Sequence, residues 1–140
     1  MAEVVLLDTG PLVGFIDARE ASHAWAVCAF QRARLPLWTC QAVLTETCFL
    51  LRNQPSALAR LRNQVLAGHF RDGFDFKTMT PRAMALMERY ANVPMSFADA
   101  CLVILAENQP SLPILTLDRD FLVYRRHGGQ LLTLLTPFEG

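Results

Sequence analysis

Four carboxylates stand where packing alone would place apolar side chains. Asp8 closes the apolar run Val4–Leu7, and Asp118 follows directly on Ile114–Leu117. If both runs are strands of an open α/β sheet, their carboxyl ends are where ligands bind, and both acids project to one crevice edge. Glu46 has Ala42 and Val43 one turn before it and Phe49 and Leu50 one turn after it, so on a helix its charge faces inward. Asp99 is placed in the same way, with Met95 before it and Leu102 and Val103 after it. Carboxylates gathered with no lysine beside them repel one another and raise one another's pKa unless a cation holds them together. Hard oxygen donors suit a divalent ion that keeps several of its waters, so the chemistry to expect is metal-assisted.

Each acid also has a plain structural explanation. Asp8 and Asp118 suit a turn or an N-cap, and Glu46 and Asp99 could pair with Arg52 or Arg89 in buried salt bridges. Asp17 and Asp72 are expected to be solvated turn residues. Asp120, two residues beyond Asp118, is within reach of the same ion through water. Phe121, Leu122 and Val123 already suggest a packed helix, at whose start a carboxylate is favoured by orphan N–H groups without any metal. Asp120 is therefore expected to be mainly structural.

The elements that must position these acids alternate between short apolar runs and longer helical patterns. Val4–Leu7 reads as a buried strand, with a helix from about Pro11; Ser22 caps a helix to about Ala33; Leu37–Cys40 is a strand and Gln41–Leu51 a helix. Pro55-Ser56 opens another helix to about Ala67. His69–Asp72 with Gly73 is expected to form a turn, Phe74–Lys77 a short strand, and Thr80-Pro81 a helix start running to Tyr90. Met95–Glu107 is a helix whose apolar half, Ala100–Ala106, should be buried. Ile114–Leu117 is a strand, Arg119–Arg126 a short helical or irregular piece, Gly128-Gly129 a turn, and Leu131–Leu135 a last strand. Alternating β and α elements predict an α/β fold with a parallel sheet covered by helices on both faces.

Composition bounds the rest. At 140 residues with 52% apolar and 19% charged positions and a mean hydropathy of +0.23, the chain fits one well-filled domain spanning residues 1–140, and disorder is excluded. Its apolar stretches fall far short of the roughly 20 residues that cross a bilayer. No basic region precedes Val4–Leu7 and Asp8 interrupts that run, so the chain is expected to start at Met1 and stay in the cytosol, with no membrane partner. Zero net charge gives no basic field, and Lys77 is the only lysine among 13 basic residues, a bias that a GC-rich genome also produces. Cys28, Cys40, Cys48 and Cys101 form no C-x-x-C pair and are expected to be buried thiols. His23 suits a surface or capping place, and Trp25 and Trp38 suit the core. Arg119, beside Asp118, is the preferred phosphate contact, with Arg60, Arg62, Arg125 and Arg126 as outer contacts.

The segment Val4-Val5-Leu6-Leu7-Asp8-Thr9-Gly10-Pro11-Leu12, then Thr45-Glu46, then Ser96-Phe97-Ala98-Asp99-Ala100, then Leu115-Thr116-Leu117-Asp118-Arg119-Asp120-Phe121 resembles the PIN domain family, specifically its VapC-type toxin ribonucleases. The resemblance covers essentially the whole chain. It implies a three-layer α/β/α sandwich and an endoribonuclease dependent on Mg²⁺ or Mn²⁺, in which a metal-activated water attacks a phosphodiester. Position by position it makes Asp8, Glu46, Asp99 and Asp118 the catalytic metal ligands, with Thr9 and Thr116 as hydroxyls that steady them. It further implies a homodimer and a small antitoxin that feeds a basic side chain into the acidic groove. A nucleophilic-aspartate phosphatase would need a second Asp where Gly10 stands, and a receiver domain would need a lysine near the acids. The remaining alternative, a non-catalytic PIN-like module for RNA binding or protein interaction, is opposed by the four intact acids.

Overall fold

Runs of leucine and isoleucine too short for a helix bury both faces only inside a parallel sheet. Leu6–Leu7 form β1, which leads without a loop into α1 (Thr9–Ile16); α2 (His23–Arg32), β2 (Leu37–Thr39), α3 (Gln41–Leu50), α4 (Pro55–Leu66), β3 (Phe70–Asp72), α5 (Phe76–Arg89), α6 (Phe97–Asn108) and β4 (Ile114–Leu115) follow. A 3₁₀ turn, Arg119–Leu122, then precedes β5 (Arg125–Arg126), β6 (Gln130–Leu131) and β7 (Leu134–Leu135). This computed structural model describes residues 2–138; Met1, the expected start, and the last two residues of the expected domain lie outside the described residues.

The strands β3, β2, β1, β4 and β7 form one sheet in that order, every pair parallel. Leu6 pairs with Trp38 on one side and Ile114 on the other, and Leu7 pairs with Leu115. The chain runs outward from β1 through β2 and β3, then returns past β1 to lay down β4. Its direction of travel reverses between β1 and β4, and the crevice at such a reversal is where open α/β sheets bind ligands. Helices flank the sheet, as the alternating pattern predicts: α1 packs on α2, α3 and α4, and α6 packs on α5, α3 and β1. Gly14 permits the close crossing of α1 and α2, because a Cβ there would lie 2.5 Å from Ser22 Oγ.

Helix α6 is the centre of the core. Every residue from Ala98 to Ala106 is buried, as a helix apolar on all sides requires. Ser96 starts it, its Oγ accepting from Asp99 N at 3.0 Å.

Several local expectations change. Phe70–Asp72, read as a turn, is strand β3, paired Leu37 to Phe70, Trp38 to Arg71 and Thr39 to Asp72; Arg71 lays its guanidinium over the Trp38 ring at 4.2 Å. Phe74–Lys77, read as a strand, instead enters α5, because Asp75 caps the helix by accepting from Thr78 N at 2.9 Å. Pro81 consequently sits inside α5 rather than at its start. The last strand divides at Leu132-Thr133, so that β6 pairs antiparallel with β5 while β7 joins the main sheet; His127 and Gly128, at φ 48° and 79°, make the tight turn between β5 and β6. Asp17 is buried and ion-paired with Arg19 (Nε–Oδ1 3.2 Å), and the Arg19 contacts pull its carboxyl down to about 2. Only Cys40 and Cys101 are buried; Cys28 and Cys48 are exposed, each on the outer side of its helix.

Replacing the fully buried Leu102 of α6 by alanine leaves a void between helix and sheet. Urea denaturation of Leu102→Ala is expected to show a loss of about 3 kcal/mol at unchanged slope. A loss below 1 kcal/mol would mean that α6 is not the packed centre.

Candidate active site

Asp8 is the first residue after β1 and the N-cap of α1, its Oδ1 accepting from Thr9 N at 2.8 Å. The parallel ladder carries Asp8 N to Leu115 O (3.1 Å) and Thr116 N to Leu135 O (3.1 Å), so Asp8 and Thr116 are neighbours at the carboxyl edge of the sheet. There Thr116 Oγ1 donates to Asp8 Oδ2 at 2.7 Å and accepts from Asp118 N at 3.0 Å. One buried hydroxyl thus holds the Asp8 carboxylate and the backbone of Asp118. Thr9 couples another pair: one residue after Asp8, its Oγ1 donates to Glu46 Oε2 at 2.9 Å across to α3.

Asp99 lies in the first turn of α6, where the helix dipole favours a negative charge. Its Oδ2 accepts from the buried Tyr124 hydroxyl at 2.8 Å. Asp118 caps the 3₁₀ turn, its Oδ1 accepting from Asp120 N at 2.9 Å. Asp8, Glu46, Asp99 and Asp118 therefore line one open crevice of about 480 Å³, with Thr9, Gly10, Leu117 and Arg119. Gly10 keeps its floor narrow, since a Cβ there would come within 3.3 Å of Leu117 Cβ.

Asp120 belongs to the first turn of the 3₁₀ segment, where its carboxylate was expected. Its oxygen also lies within 4.8 Å of oxygens from both Asp99 and Asp118, a three-carboxylate group able to hold an ion. Arg119 is exposed at the rim, with its guanidinium 4.5 Å from the centre of the Phe138 ring. Tyr124 is the residue that sequence reasoning missed. Nothing in the irregular stretch Arg119–Arg126 marks it, and only its position two residues past Leu122, an apolar place for a phenol, hinted at a buried partner.

The electrostatics reflect acids crowded without counter-charge. Burial pushes Asp8 up to about 7, against the opposing pull of its bonds from Thr116 and Thr9, with Asp99 and Asp118 adding repulsion. Burial likewise raises Asp99, with Asp118 and Glu46 contributing, and raises Asp120, with Asp118 contributing. The same burial and the Asp99 bond push the Tyr124 hydroxyl well above its ordinary value, so it remains a donor. Among the described residues the ion pairs are Arg19–Asp17 and Arg82–Glu107. Arg52 instead covers Phe49 and donates to its carbonyl at 2.7 Å, and Arg89 reaches Gly128 O at 3.4 Å. The salt bridges to Glu46 and Asp99 considered above do not form.

The family profile described as PIN domain matches residues 5–126. A search of curated protein sequences finds no match. Among solved structures, the chain is similar to VapC20 of Mycobacterium tuberculosis, described as a sarcin–ricin loop cleaving toxin, with a TM-score of 0.72 and 20% identity over 83% of this chain and 91% of that one. It is similar also to a toxin–antitoxin complex from Klebsiella pneumoniae, with a TM-score of 0.67 and 18% identity over 97% of this chain and 99% of that one. At such identities the likeness is one of fold.

Because folding raises the Asp8 pKa from the ordinary carboxylate value near 4 to about 7, the native state keeps a proton that the unfolded chain releases. The contribution of Asp8 to the stability of the metal-free protein is therefore fully present below pH 4 and is lost as pH rises through 7. Asp8→Asn removes that titration. In EDTA the wild-type melting temperature is expected to fall between pH 5 and 8, whereas the variant falls less and melts higher at pH 8, where ionising Asp8 costs the wild type no more than about 4 kcal/mol. Parallel pH profiles would show that Asp8 is already ionised in the folded protein.

Proposed function

The chain belongs to the PIN domain family, and on that premise we propose that it is a Mg²⁺-dependent endoribonuclease, the toxin of a toxin–antitoxin pair. The observation that carries the reading is that Asp8, Glu46, Asp99 and Asp118, from four separate elements, meet in one crevice with no cationic side chain paired to them among the described residues. The donor set suits a hard divalent ion: it is made of carboxylate oxygens, and Asp8 and Asp99 are raised by burial and by one another's neighbours as acids lacking a cation are. Mn²⁺ has the same preference for oxygen.

Asp8, Glu46, Asp99 and Asp118 would hold the ion, with Asp120 acting through water. When bound, it supplies positive charge to the phosphoryl oxygens and makes a coordinated water more acidic. The protein's own part is orientation and proton transfer. Thr116 and Thr9 fix Asp8 and Glu46 against rotation, the Asp120 N–H does so for Asp118, and Tyr124 for Asp99. Glu46, with Oε2 occupied by Thr9, presents Oε1 to take the proton of the attacking water. Arg119 at the rim binds a phosphate of the RNA bidentately. The fold shared with a toxin and with a toxin–antitoxin complex supports a small antitoxin as partner, one that places a basic side chain in the acidic crevice. The family resemblance implies a homodimer, for which exposed Phe49 and Leu50 at the end of α3 offer apolar surface. This reading puts the protein in the cytosol with its RNA. No helix among the described residues is long and apolar enough to cross a membrane.

Purified protein is expected to cut RNA with Mg²⁺ and to stop on addition of EDTA. Asp8→Asn and Asp99→Asn should each lower cleavage at least about 100-fold while circular dichroism stays native. Expression of the wild type should arrest growth, with either variant relieving the arrest. Variants that cut RNA at the parent rate would remove these acids from the chemistry.

A second comparison separates the paired aspartates. Asp118→Asn is expected to lower the rate by orders of magnitude even at saturating Mg²⁺, whereas Asp120→Asn is expected chiefly to raise the Mg²⁺ concentration giving half-maximal rate, several-fold. Mg²⁺ titrations of both variants check this, and the reverse pattern would exchange their roles.

A further inference from the structure

Glu46 lines two cavities, the acidic crevice and one beside it. The same side chain forms the wall of a second cleft of about 490 Å³, shared with Phe74, Phe76, Phe97, Asp72 and Gln41 among others. Its size is that of a small-molecule site. Phe74 and Phe97 meet edge to face, with ring centres 5.9 Å apart, and Phe76 stands at the mouth 77% exposed. Its open ring face is available to a flat partner. At the polar end, Asp72 Oδ1 accepts from Phe74 N at 3.1 Å and Oδ2 accepts from Gln41 Nε2 at 3.2 Å. Each oxygen keeps a second lone pair, and no ion pair occupies the carboxylate among the described residues.

We propose that this cleft is a guanine-binding subsite for a nucleotide of the RNA next to the phosphodiester held in the crevice. Single-stranded RNA is read by stacking its bases on aromatic rings and bonding their Watson–Crick edges. The rings of the cleft supply the stacking surface, and Glu46, common to both cavities, makes the cleft continuous with the reacting phosphate. The edge chemistry then selects the base. A carboxylate offers only acceptors. Guanine alone presents two adjacent donors, N1–H and the N2 amino group, which match the two oxygens of Asp72. Adenine and cytosine present one donor beside a ring-nitrogen acceptor that the carboxylate repels, and uracil presents one N–H between two carbonyls. Gln41 holds Asp72 with one amide hydrogen, and among the described residues nothing accepts its other, which can reach a carbonyl.

This assignment rests on the nuclease reading for its biological sense, but base binding can be measured without cleavage. Calorimetric titration of the full chain in EDTA with the four ribonucleoside 5′-monophosphates is expected to show guanosine monophosphate bound about tenfold or more tightly than the other three. Asp72→Asn should abolish that preference, and Phe76→Ala should weaken all four by a similar factor, several-fold. Both side chains are exposed, so neither change threatens the core. In a companion experiment, cuts in a single-stranded RNA of mixed sequence are mapped with Mg²⁺ present: wild-type cuts should cluster beside guanosines and Asp72→Asn cuts should spread. Equal binding of the four nucleotides, or a guanosine preference that survives Asp72→Asn, overturns the subsite even if the RNA is cut. Guanosine preference in a protein that cuts no RNA keeps the subsite and overturns the nuclease reading.

Discussion

The hydrogen bond from Thr116 to Asp8 is the contact on which the site depends. It is possible only because β1 and β4, more than a hundred residues apart in sequence, pair in parallel with Leu7 against Leu115. That register sets the residues just past each strand side by side at one edge, and a threonine there reaches both the acid beside it and the backbone two residues ahead. A slip by one residue would turn Asp8 to the opposite face of the sheet and bury it without a partner. The apolar identity of Leu6, Leu7, Ile114 and Leu115 is therefore as much a part of the site as the carboxylates, because it makes every other register unfavourable.

The acids themselves weaken the metal-free fold. Burial holds Asp8 near neutrality and works against charge on Asp99, and among the described residues no arginine pairs with either. Structure and electrostatics here pull in opposite directions: the sheet gathers charges that repel one another, and the hydroxyls of Thr9, Thr116 and Tyr124 align them without neutralising them. Such an arrangement favours a cation supplied from outside, whether a metal or a basic side chain of a partner, since either relieves the same repulsion.

What could be read in advance follows from which patterns are local. Asp8 and Asp118 were visible because each ends an apolar run, and Asp99 because it interrupts a buried helical stripe; for Glu46 the stripe holds only on the side of Ala42 and Val43, since Phe49 and Leu50, expected to face inward with it, are exposed. The sheet was visible through the alternation of these runs with helices. Edge strand β3 was not, since Phe70-Arg71-Asp72 places two charged residues on a strand that only β2 identifies, and the Asp75 cap that displaces the expected strand at Phe74–Lys77 competes with an equally plausible start at Pro81. Tyr124 was hidden for a different reason: a short irregular segment has no period, so the inward direction of a single side chain follows from tertiary packing alone. The proximity of Asp120 to Asp99 was hidden for the same reason.

The direct junction of β1 with α1 has one more consequence. With no loop between Leu7 and Thr9, the Asp8 side of the crevice is as stiff as the sheet, and Gly10 against Leu117 leaves no room to reshape it. The opposite bank is built from the ends of α3 and β3 and the entry to α5, where side chains are exposed and backbone spacing is less constrained. Divergence among related chains can then proceed on one bank only. The acids would stay constant while the outline of the cleft beside them varies.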